Sequence, residues 1–290
     1  MVRKLAATLC AAALVFISPK ARAIDVAPGD YVIMPPGTNI GLLYFQSATS
    51  NKLTLPGTAK VPNSRLDTSV VVLRGLSYSQ VAGIPLLVQA VLPMGRISTA
   101  RIGGVNQGVS DGIGDLTLGA SLWPVSPSNP ETGTTLGLTA FVTAPTGRYD
   151  SADISLGKGT WTITPQAGLI QGLGGGFFID ATLDAAFTVG HTEGGARISV
   201  DPAYQAQVAL RKQFTQQTSF AVGYSGQFGG DQKVNGVKTG LKTRRDQVRL
   251  YGNTFVLPGL QLQAMVGRDL YAEGGFKTGF VGEIRLLKVF

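Results

Sequence analysis

Carboxylate, guanidinium and amide side chains alternate with apolar ones in several stretches of the chain. Two aspartates alternate with apolar residues between Phe177 and Val189, and two glutamines alternate with apolar residues between Tyr204 and Arg211. Such groups can line a solute path, neutralise one another, or catalyse a reaction. The candidates selected by this pattern are Asp180, Asp184, Gln205, Gln207, Arg211, Gln247, Arg249, Gln261, Gln263, Asp269, Glu283 and Arg285.

The sequence does not support catalysis by these groups. His191 is the only histidine, and Thr192 and Glu193 follow it, so a His-x-Ser pair of base and nucleophile is absent. Asp180 and Asp184 share one face of a strand, but four extended residues separate them by about 13 Å, too far for coupled carboxylates. With one histidine and one cysteine in the chain, we predict no metal centre, no cofactor and no catalytic residue.

Both signs of charge occur among the candidates, which leaves two interpretations of a polar inner face. The groups can form a cross-strand network that stiffens a wall. Alternatively, Arg211, Arg249 and Arg285 can create a field that favours anionic or polar aromatic solutes. The two interpretations are compatible.

The first 23 residues have the layout of a secretory signal peptide. Arg3 and Lys4 precede a largely apolar run of 13 residues, shorter than the about 20 that a spanning helix needs, and Ala21-Arg22-Ala23 matches an A-x-A cleavage site. Cleavage after Ala23 removes four basic residues and leaves 21 basic against 17 acidic residues, a net charge of +4. This small excess, without a basic stripe, gives no case for nucleic-acid binding.

Alternation with a period of two dominates after Ile24, whereas helical periodicity is almost absent. Charged residues make up only 14% of the chain, which is low for a soluble domain. Each alternating run has about the 9 to 11 residues, or slightly more, that a tilted strand needs to cross a bilayer. The runs predict strands at residues 38–48, 66–77, 84–93, 115–124, 134–144, 160–170, 177–189, 203–213, 218–229, 246–256, 260–271 and 279–290.

The connections between these predicted strands alternate between long and short. Their lengths are 17, 6, 21, 9, 15, 6, 13, 4, 16, 3 and 7 residues. Outer-membrane barrels combine long extracellular loops with short periplasmic turns, whereas a soluble sandwich has no reason to sort its connections. We therefore predict an all-β fold, a closed antiparallel up-and-down transmembrane β-barrel of about twelve strands. A soluble β-sandwich is the alternative.

This interpretation divides the chain into a signal peptide at 1–23, an N-terminal segment at 24–37 and an outer-membrane barrel at 38–290. A barrel of this size encloses more space than wall side chains fill, yet less than a wide aqueous pore. The N-terminal segment, which contains Pro28, Pro35 and Pro36, can fold into the lumen as a plug or form a loose periplasmic tail.

A cluster of basic residues falls in the predicted outer loop at 230–245. Such a cluster can bind lipid A phosphates or gather anionic solutes. A loop that is only solvated is the alternative. Its members are Lys233, Lys238, Lys242, Arg244 and Arg245.

Three short motifs stand at the ends of predicted strands. They are Gly112-Ile113-Gly114-Asp115, Pro145-Thr146-Gly147-Arg148-Tyr149 and Gly159-x-Trp161-x-x-x-Pro165. These residue types are typical of turns. Pro145 lacks a backbone N–H donor, Gly147 permits a positive φ, and the Asp115 carboxylate can accept from backbone N–H groups. In this order, in a chain with a signal peptide and a final Phe290, they resemble the outer-membrane transporter family named for the meta-pathway of phenol degradation. The resemblance implies a channel for aromatic or other hydrophobic small molecules.

Together, the residues and the resemblance predict passive uptake of small hydrophobic or aromatic compounds across the outer membrane. The expected protein is a monomer in contact with lipid and lipopolysaccharide, with the candidate residues lining its lumen. The alternative is a structural or surface-interaction barrel with a closed lumen, whose loops bind an external partner.

Overall fold

The computed structural model describes residues 25–55, 60–239 and 241–290, so the predicted signal peptide lies outside the described residues. Within these ranges no helix is long and apolar enough to cross a membrane. Long strands form the fold: β1 Asn39–Thr54, β2 Arg65–Val81, β3 Ile84–Ile102, β4 Thr117–Val125, β5 Thr134–Thr143, β6 Thr162–Gly174, β7 Phe177–Thr188, β8 Ala203–Gln213, β9 Thr218–Gly229, β10 Thr243–Leu257, β11 Leu260–Glu273 and β12 Gly275–Val289.

These strands form one closed antiparallel barrel. Each strand pairs with its neighbours in sequence, and β1 also pairs with β12, from Ile40 opposite Val289 to Thr54 opposite Gly275. Pairing of the first strand with the last satisfies backbone groups that hydrocarbon could not satisfy. The predicted fold class is confirmed, and the soluble sandwich is excluded.

Alternation places apolar side chains on the outer face and polar ones on the inner face. Leu118 and Leu183 are more than half exposed on the outside, whereas Gln205 and Arg285 are 0% and 3% exposed on the inside. This arrangement suits a barrel whose outer face meets lipid.

Several strands are longer than the sequence pattern predicts. β1 and β3 run six and nine residues past their predicted ends, and β12 begins four residues earlier. The connections therefore contain 10, 2, 14, 8, 18, 2, 14, 4, 13, 2 and 1 residues. The predicted alternation holds for the first ten and not for the last, because the extension of β11 and β12 leaves only Gly274 between them. Its φ of +77° permits this turn.

Short strands organise the long loops. Val109–Ser110 pairs in parallel with Ile154–Ser155 and joins the β3–β4 loop to the β5–β6 loop. The β7–β8 and β9–β10 loops form a four-stranded sheet of His191–Glu193, Ala196–Val200, Gln232–Val234 and Val237–Lys238. Other short strands extend the wall at Lys60–Val61 beside β1, and at Val105–Asn106 and Gly112–Ile113 beside β3.

Candidate functional site

Residues 25–34 lie inside the barrel, and we call them the plug. The Gly29 backbone N–H donates to Asp180 on β7 at 2.9 Å. Trp123 on β4 donates from Nε1 to the carbonyl oxygen of Tyr31 at 3.0 Å. Partners on separate strands therefore hold the segment within the lumen, and it does not hang below the barrel as a tail.

Tyr31 seats the plug on two glycines of neighbouring strands. Gly137 on β5 and Gly168 on β6 are direct cross-strand partners. A Cβ on Gly137 would lie 2.6 Å from the Tyr31 ring, and one on Gly168 would overlap the ring. The Tyr31 hydroxyl bonds Thr139 at 2.9 Å and donates to Gln166 at 3.0 Å, which fixes its depth. We call Gly137 and Gly168 the glycine socket.

Two carboxylates tie the plug to arginines of the wall. Asp30 lies between Arg74 on β2 and Arg285 on β12, with O–N distances of 3.3 and 2.7 Å. Asp25 accepts two bonds from Arg249 at 3.1 Å. The Asp30 side chain is 12% exposed and that of Asp25 40%. Because a buried pair broken on one side is costly, Asp30 is the stronger anchor.

The plug fits one side of the lumen more tightly than the other. Between the plug and strands β6 to β10 the cavity measures about 20 Å³. Towards the short turns, a cavity of about 310 Å³ lies between the plug and strands that include β11, β12, β1 and β2. We call it the lower cavity. Its lining combines apolar side chains such as Leu42 and Leu287 with polar ones such as Arg211 and Asn253.

A groove of about 770 Å³ lies on the outer face of β11, β12, β1, β2 and β3, and we call it the outer groove. Each of these strands lines it through two outward-facing residues and the inward-facing residue between them. Phe45 and Ile284 are direct cross-strand partners in the groove and are 46% and 44% exposed. On the lumen side of the same strands, Gln46 donates to Glu283 at 3.0 Å.

The structure places all the sequence-predicted site residues on the inner side of the wall. Most of them bond one another or the plug, Glu283 accepts from Gln46, and Gln261 lines the lower cavity. Arg211, Arg249 and Arg285 each have a carboxylate partner, so little positive charge is left unbalanced there. Further contacts join Arg249 to Gln207 and Gln247, Arg285 to Gln261, Gln205 to Asp25, and Asp184 to Gln166.

Asp269 has a structural role in the wall. The ladder between β11 and β12 ends at Gly267 opposite Val281. Above that point Asp269, which is 1% exposed, accepts from the Thr278 backbone N–H at 2.6 Å and pairs with Arg245 at 3.2 Å. The side chains thus replace main-chain bonds where the two strands separate.

The basic cluster of the outer loop is balanced by carboxylates. Each of its five members has an acidic partner within 4 Å, and several of these partners come from other loops or strands. The loop therefore presents less positive charge than its sequence suggests. The pairs are Lys233 with Asp201, Lys238 with Asp231, Lys242 with Glu273, Arg244 with Asp246, and Arg245 with Asp269.

Sequence reasoning missed the hydroxyl groups of the lumen. Thr117, Thr143, Thr162 and Thr188 are successive cross-strand partners on the inner face of β4 to β7. Thr117 and Thr143 share a hydrogen bond of 2.8 Å. Threonine is common in strands of every kind, so its presence alone does not mark these positions as lumen-facing. Its alternation with exposed apolar residues was the signal that could have identified this wall.

Comparison with known proteins agrees with this geometry. The family model described as "Putative MetA-pathway of phenol degradation" matches residues 50–285. The chain belongs to this family. It is also similar to the COG4313 outer membrane channel from Pseudomonas putida F1, with 31% identity and a TM-score of 0.82 over 92% of this chain and 100% of that one.

More distant likenesses show the fold alone. The transport unit of the autotransporter AIDA-I from Escherichia coli has a TM-score of 0.51 and 9% identity over 98% of each chain. The search of curated proteins finds no match.

The motifs that carry the family resemblance meet at the loop end of the barrel. Asp115 accepts from the backbone N–H groups of Gly147 at 2.9 Å and Lys158 at 2.8 Å, as turn chemistry predicts. The explanation given for Gly147 from the sequence is wrong, because its φ is not positive. A Cβ there would lie 2.7 Å from the Asp115 nitrogen, so close approach is what requires glycine.

Two titratable groups of this junction have displaced pKa values. Burial lowers the pKa of Lys158 to about 8, and the Asp115 carboxylate offsets part of the change. Burial raises the pKa of Tyr149 to about 12, and its hydrogen bond to Glu193 adds to the rise. Glu193 belongs to the four-stranded loop sheet and also lies 3.6 Å from His191. Tyr149 therefore ties the motif junction to a neighbouring loop.

Proposed function

We propose that this chain is an outer-membrane channel for passive uptake of small hydrophobic or aromatic compounds. The observation that carries the proposal is the lower cavity, about 310 Å³ of largely apolar space within the closed barrel. Sites for small molecules are typically apolar cavities of about 300 to 1,000 Å³ with a few polar groups. Membership of the family and the likeness to a solved outer-membrane channel support the proposal.

The proposal includes the surroundings of the barrel. The outer apolar face would contact lipid, and the stacked rings of Tyr204 and Phe228, with centroids 5.5 Å apart, would lie at the lipopolysaccharide boundary. One chain closes its own sheet, so a monomer suffices. Residues 1–23 would direct export, with cleavage after Ala23.

Uptake into Gram-negative cells with an intact lipopolysaccharide layer tests this function. Cells that express the chain should take up radiolabelled toluene faster than cells without it, and glucose uptake should not change. If a heat-modifiable barrel reaches the outer membrane and toluene entry does not rise, the channel function is wrong. A barrel with a closed lumen and partner-binding loops would then be the better interpretation.

Adjacent residues of β12 provide a matched pair of variants. Leu287 lines the lower cavity, whereas Leu286 is paired with Leu43 on the outer face. Leu287→Trp should reduce toluene uptake because the indole fills the cavity. Leu286→Trp should leave uptake unchanged, since it adds an aromatic ring to the lipid side.

A further inference from the structure

The outward-facing side chains of β3 change character at Arg96. From residue 84 to residue 94 all of them are apolar, namely Ile84, Leu86, Val88, Ala90, Leu92 and Met94. This stretch is about 33 Å long, and at a strand tilt of about 40° it spans about 25 Å of height, as the apolar band of a barrel does. The Arg96 side chain comes next towards the long loops and is 80% exposed. It therefore marks the outer boundary of the membrane.

Two pairs of like charges lie near this boundary. Lys52 on β1 is the direct cross-strand partner of Lys277 on β12, and Arg65 on β2 is the partner of Arg101 on β3. Both pairs face outward, because the residue that follows Lys52 and the residue that precedes Arg101 are buried on the inside. Like charges directly opposite each other destabilise a sheet, and an anion beside them would offset the repulsion. We call these four residues and Arg96 the basic rim.

The charge of the basic rim is balanced less well than that of the basic loop at 230–245. Every member of the loop cluster has an acidic partner, whereas the only close carboxylate at the rim is Asp67, 2.6 Å from Arg65. Arg96 is 4.0 Å from Asp111. No carboxylate of the described residues lies within 4 Å of the other three members. Positive charge therefore remains on the outside of the barrel at the outer boundary.

The outer groove lies next to the basic rim, on its membrane side. On β3 the groove includes both Met94 and Arg96, so one end of the groove belongs to the rim. Elsewhere its lining is mainly apolar and includes Phe45, Val71 and Ile284. Cations at the outer end of an apolar groove are complementary to an amphiphile with an anionic headgroup and acyl chains.

We propose that this surface binds lipid A of lipopolysaccharide, with its phosphates on the basic rim and acyl chains in the outer groove. Lipid A carries two phosphates and several acyl chains on one compact headgroup, and it occupies the outer leaflet, where the rim lies. An anionic phospholipid would offer a single phosphate to cations that are spread over four strands. The inference uses the position of the barrel in the outer membrane and does not depend on what the lumen conducts.

Native mass spectrometry of the folded, detergent-solubilised barrel tests the proposal. After incubation with bisphosphorylated lipid A, the wild-type protein should retain one lipid A molecule. The double variant Lys52→Gln with Arg101→Gln should bind it about tenfold more weakly or worse, because one charge is lost from each pair. Lys288→Gln is the matched control, since Lys288 is exposed at the opposite end of β12. Equal affinity for lipid A in the double variant and the control would overturn the proposal.

Stability without lipid A distinguishes a ligand site from a structural role. In detergent alone the double variant should unfold at the same urea concentration as the wild type or a higher one, because a repulsion is removed from each pair. Added lipid A should stabilise the wild type more than the variant, since only the wild type binds it well. A variant that is less stable than the wild type in detergent alone would show that these residues support the fold, and the proposal would be wrong.

A phospholipid separates lipid A from anionic lipids in general. Phosphatidylglycerol carries one phosphate, so the wild-type protein should bind it at least tenfold more weakly than lipid A, and the double variant should change this affinity little. Equal affinity of the wild type for the two lipids would overturn the assignment to lipid A.

Filling the outer groove tests the place of the acyl chains. Ser47 is an exposed residue of the groove on β1, so Ser47→Trp should displace the chains and lower the affinity for lipid A severalfold. Ala140→Trp adds the same side chain at an exposed position of β5, on the opposite wall, and should have no effect. Wild-type affinity in Ser47→Trp would exclude the groove as the site of the chains.

Discussion

The wall of β5 and β6 and the wall of β12, β1 and β2 face each other across the plug, and they are built differently. On β5 and β6, glycine and hydroxyl groups receive the Tyr31 ring and its hydroxyl. On the opposite wall, Arg74 and Arg285 bind Asp30 of the plug, and the lower cavity lies beside these pairs. One wall therefore holds the plug by close packing, whereas the other holds it by ion pairs and leaves space for a solute.

Both walls come from the same alternating pattern, so the pattern does not decide which wall packs tightly and which leaves a cavity. Side-chain size decides this difference. Two adjacent glycines create a recess in which an aromatic ring makes close contacts on all sides. On the opposite wall, long arginine side chains reach the plug at Asp30 and leave the lower cavity beside it.

The largest effect is expected when the glycine socket is filled. Gly168→Val places a branched side chain where the Tyr31 ring lies, and overpacking of this kind costs about 1 to 3 kcal/mol or more. The plug should leave its site, and single-channel conductance in a planar bilayer should rise severalfold. Gly75→Val is the matched control, because a Cβ at Gly75 meets nothing within 4 Å. Wild-type conductance in Gly168→Val would show that the socket does not seat the plug.

The next effect concerns the charges of the plug. Asp30→Asn leaves Arg74 and Arg285 without their shared carboxylate, and a buried pair broken in this way costs about 3 kcal/mol. The reversal potential in a KCl gradient should shift towards anion selectivity. Asp25→Asn should give a smaller shift, because its side chain is 40% exposed. Equal shifts in the two variants would contradict the ranking of the anchors.

A smaller effect is expected at the junction of the family motifs. Asp115→Asn keeps one acceptor oxygen for two backbone donors. The free energy that holds the loop at residues 144–161 against the barrel end, which we call its docking, should therefore fall by about 1 to 2 kcal/mol. Hydrogen exchange of amides in residues 144–161 should become faster. Asp231→Asn is the control, since its pair with Lys238 spans 3.8 Å at the surface. Unchanged exchange in Asp115→Asn would show that this carboxylate does not hold the loop in place.

The smallest effect is the dependence of this docking on pH. The pKa of Lys158 is lowered to about 8 from 10.5, so between these values opening of the loop takes up a proton, and docking should strengthen as pH rises. The pKa of Tyr149 is raised to about 12, so above pH 10 opening releases a proton and docking should weaken. Exchange protection, corrected for intrinsic rates, should therefore peak near pH 10. Lys158→Met should abolish the rise, and persistence of the rise would assign it to another group.

Much of the barrel could be predicted from local patterns. The position of each long strand and the face of Asp180, Arg249 or Gln263 follow from alternation, because neighbouring side chains of a strand point to opposite faces. The exact ends of β1 and β3 could not be predicted in this way. Their extensions depend on partners such as β12 and the Val105–Asn106 strand, which are distant in sequence or belong to loops.

Alternation along the chain specifies a closed barrel and its polar face, and the residue types present leave out those that catalysis would need. The plug at residues 25–34, the contact of Tyr31 with Gly137 and Gly168, and the pairing of the basic loop with carboxylates are visible only in the folded chain. The two kinds of feature differ in range. Alternation acts between adjacent residues, whereas the plug and the ion pairs depend on groups that meet only after the sheet has closed in register.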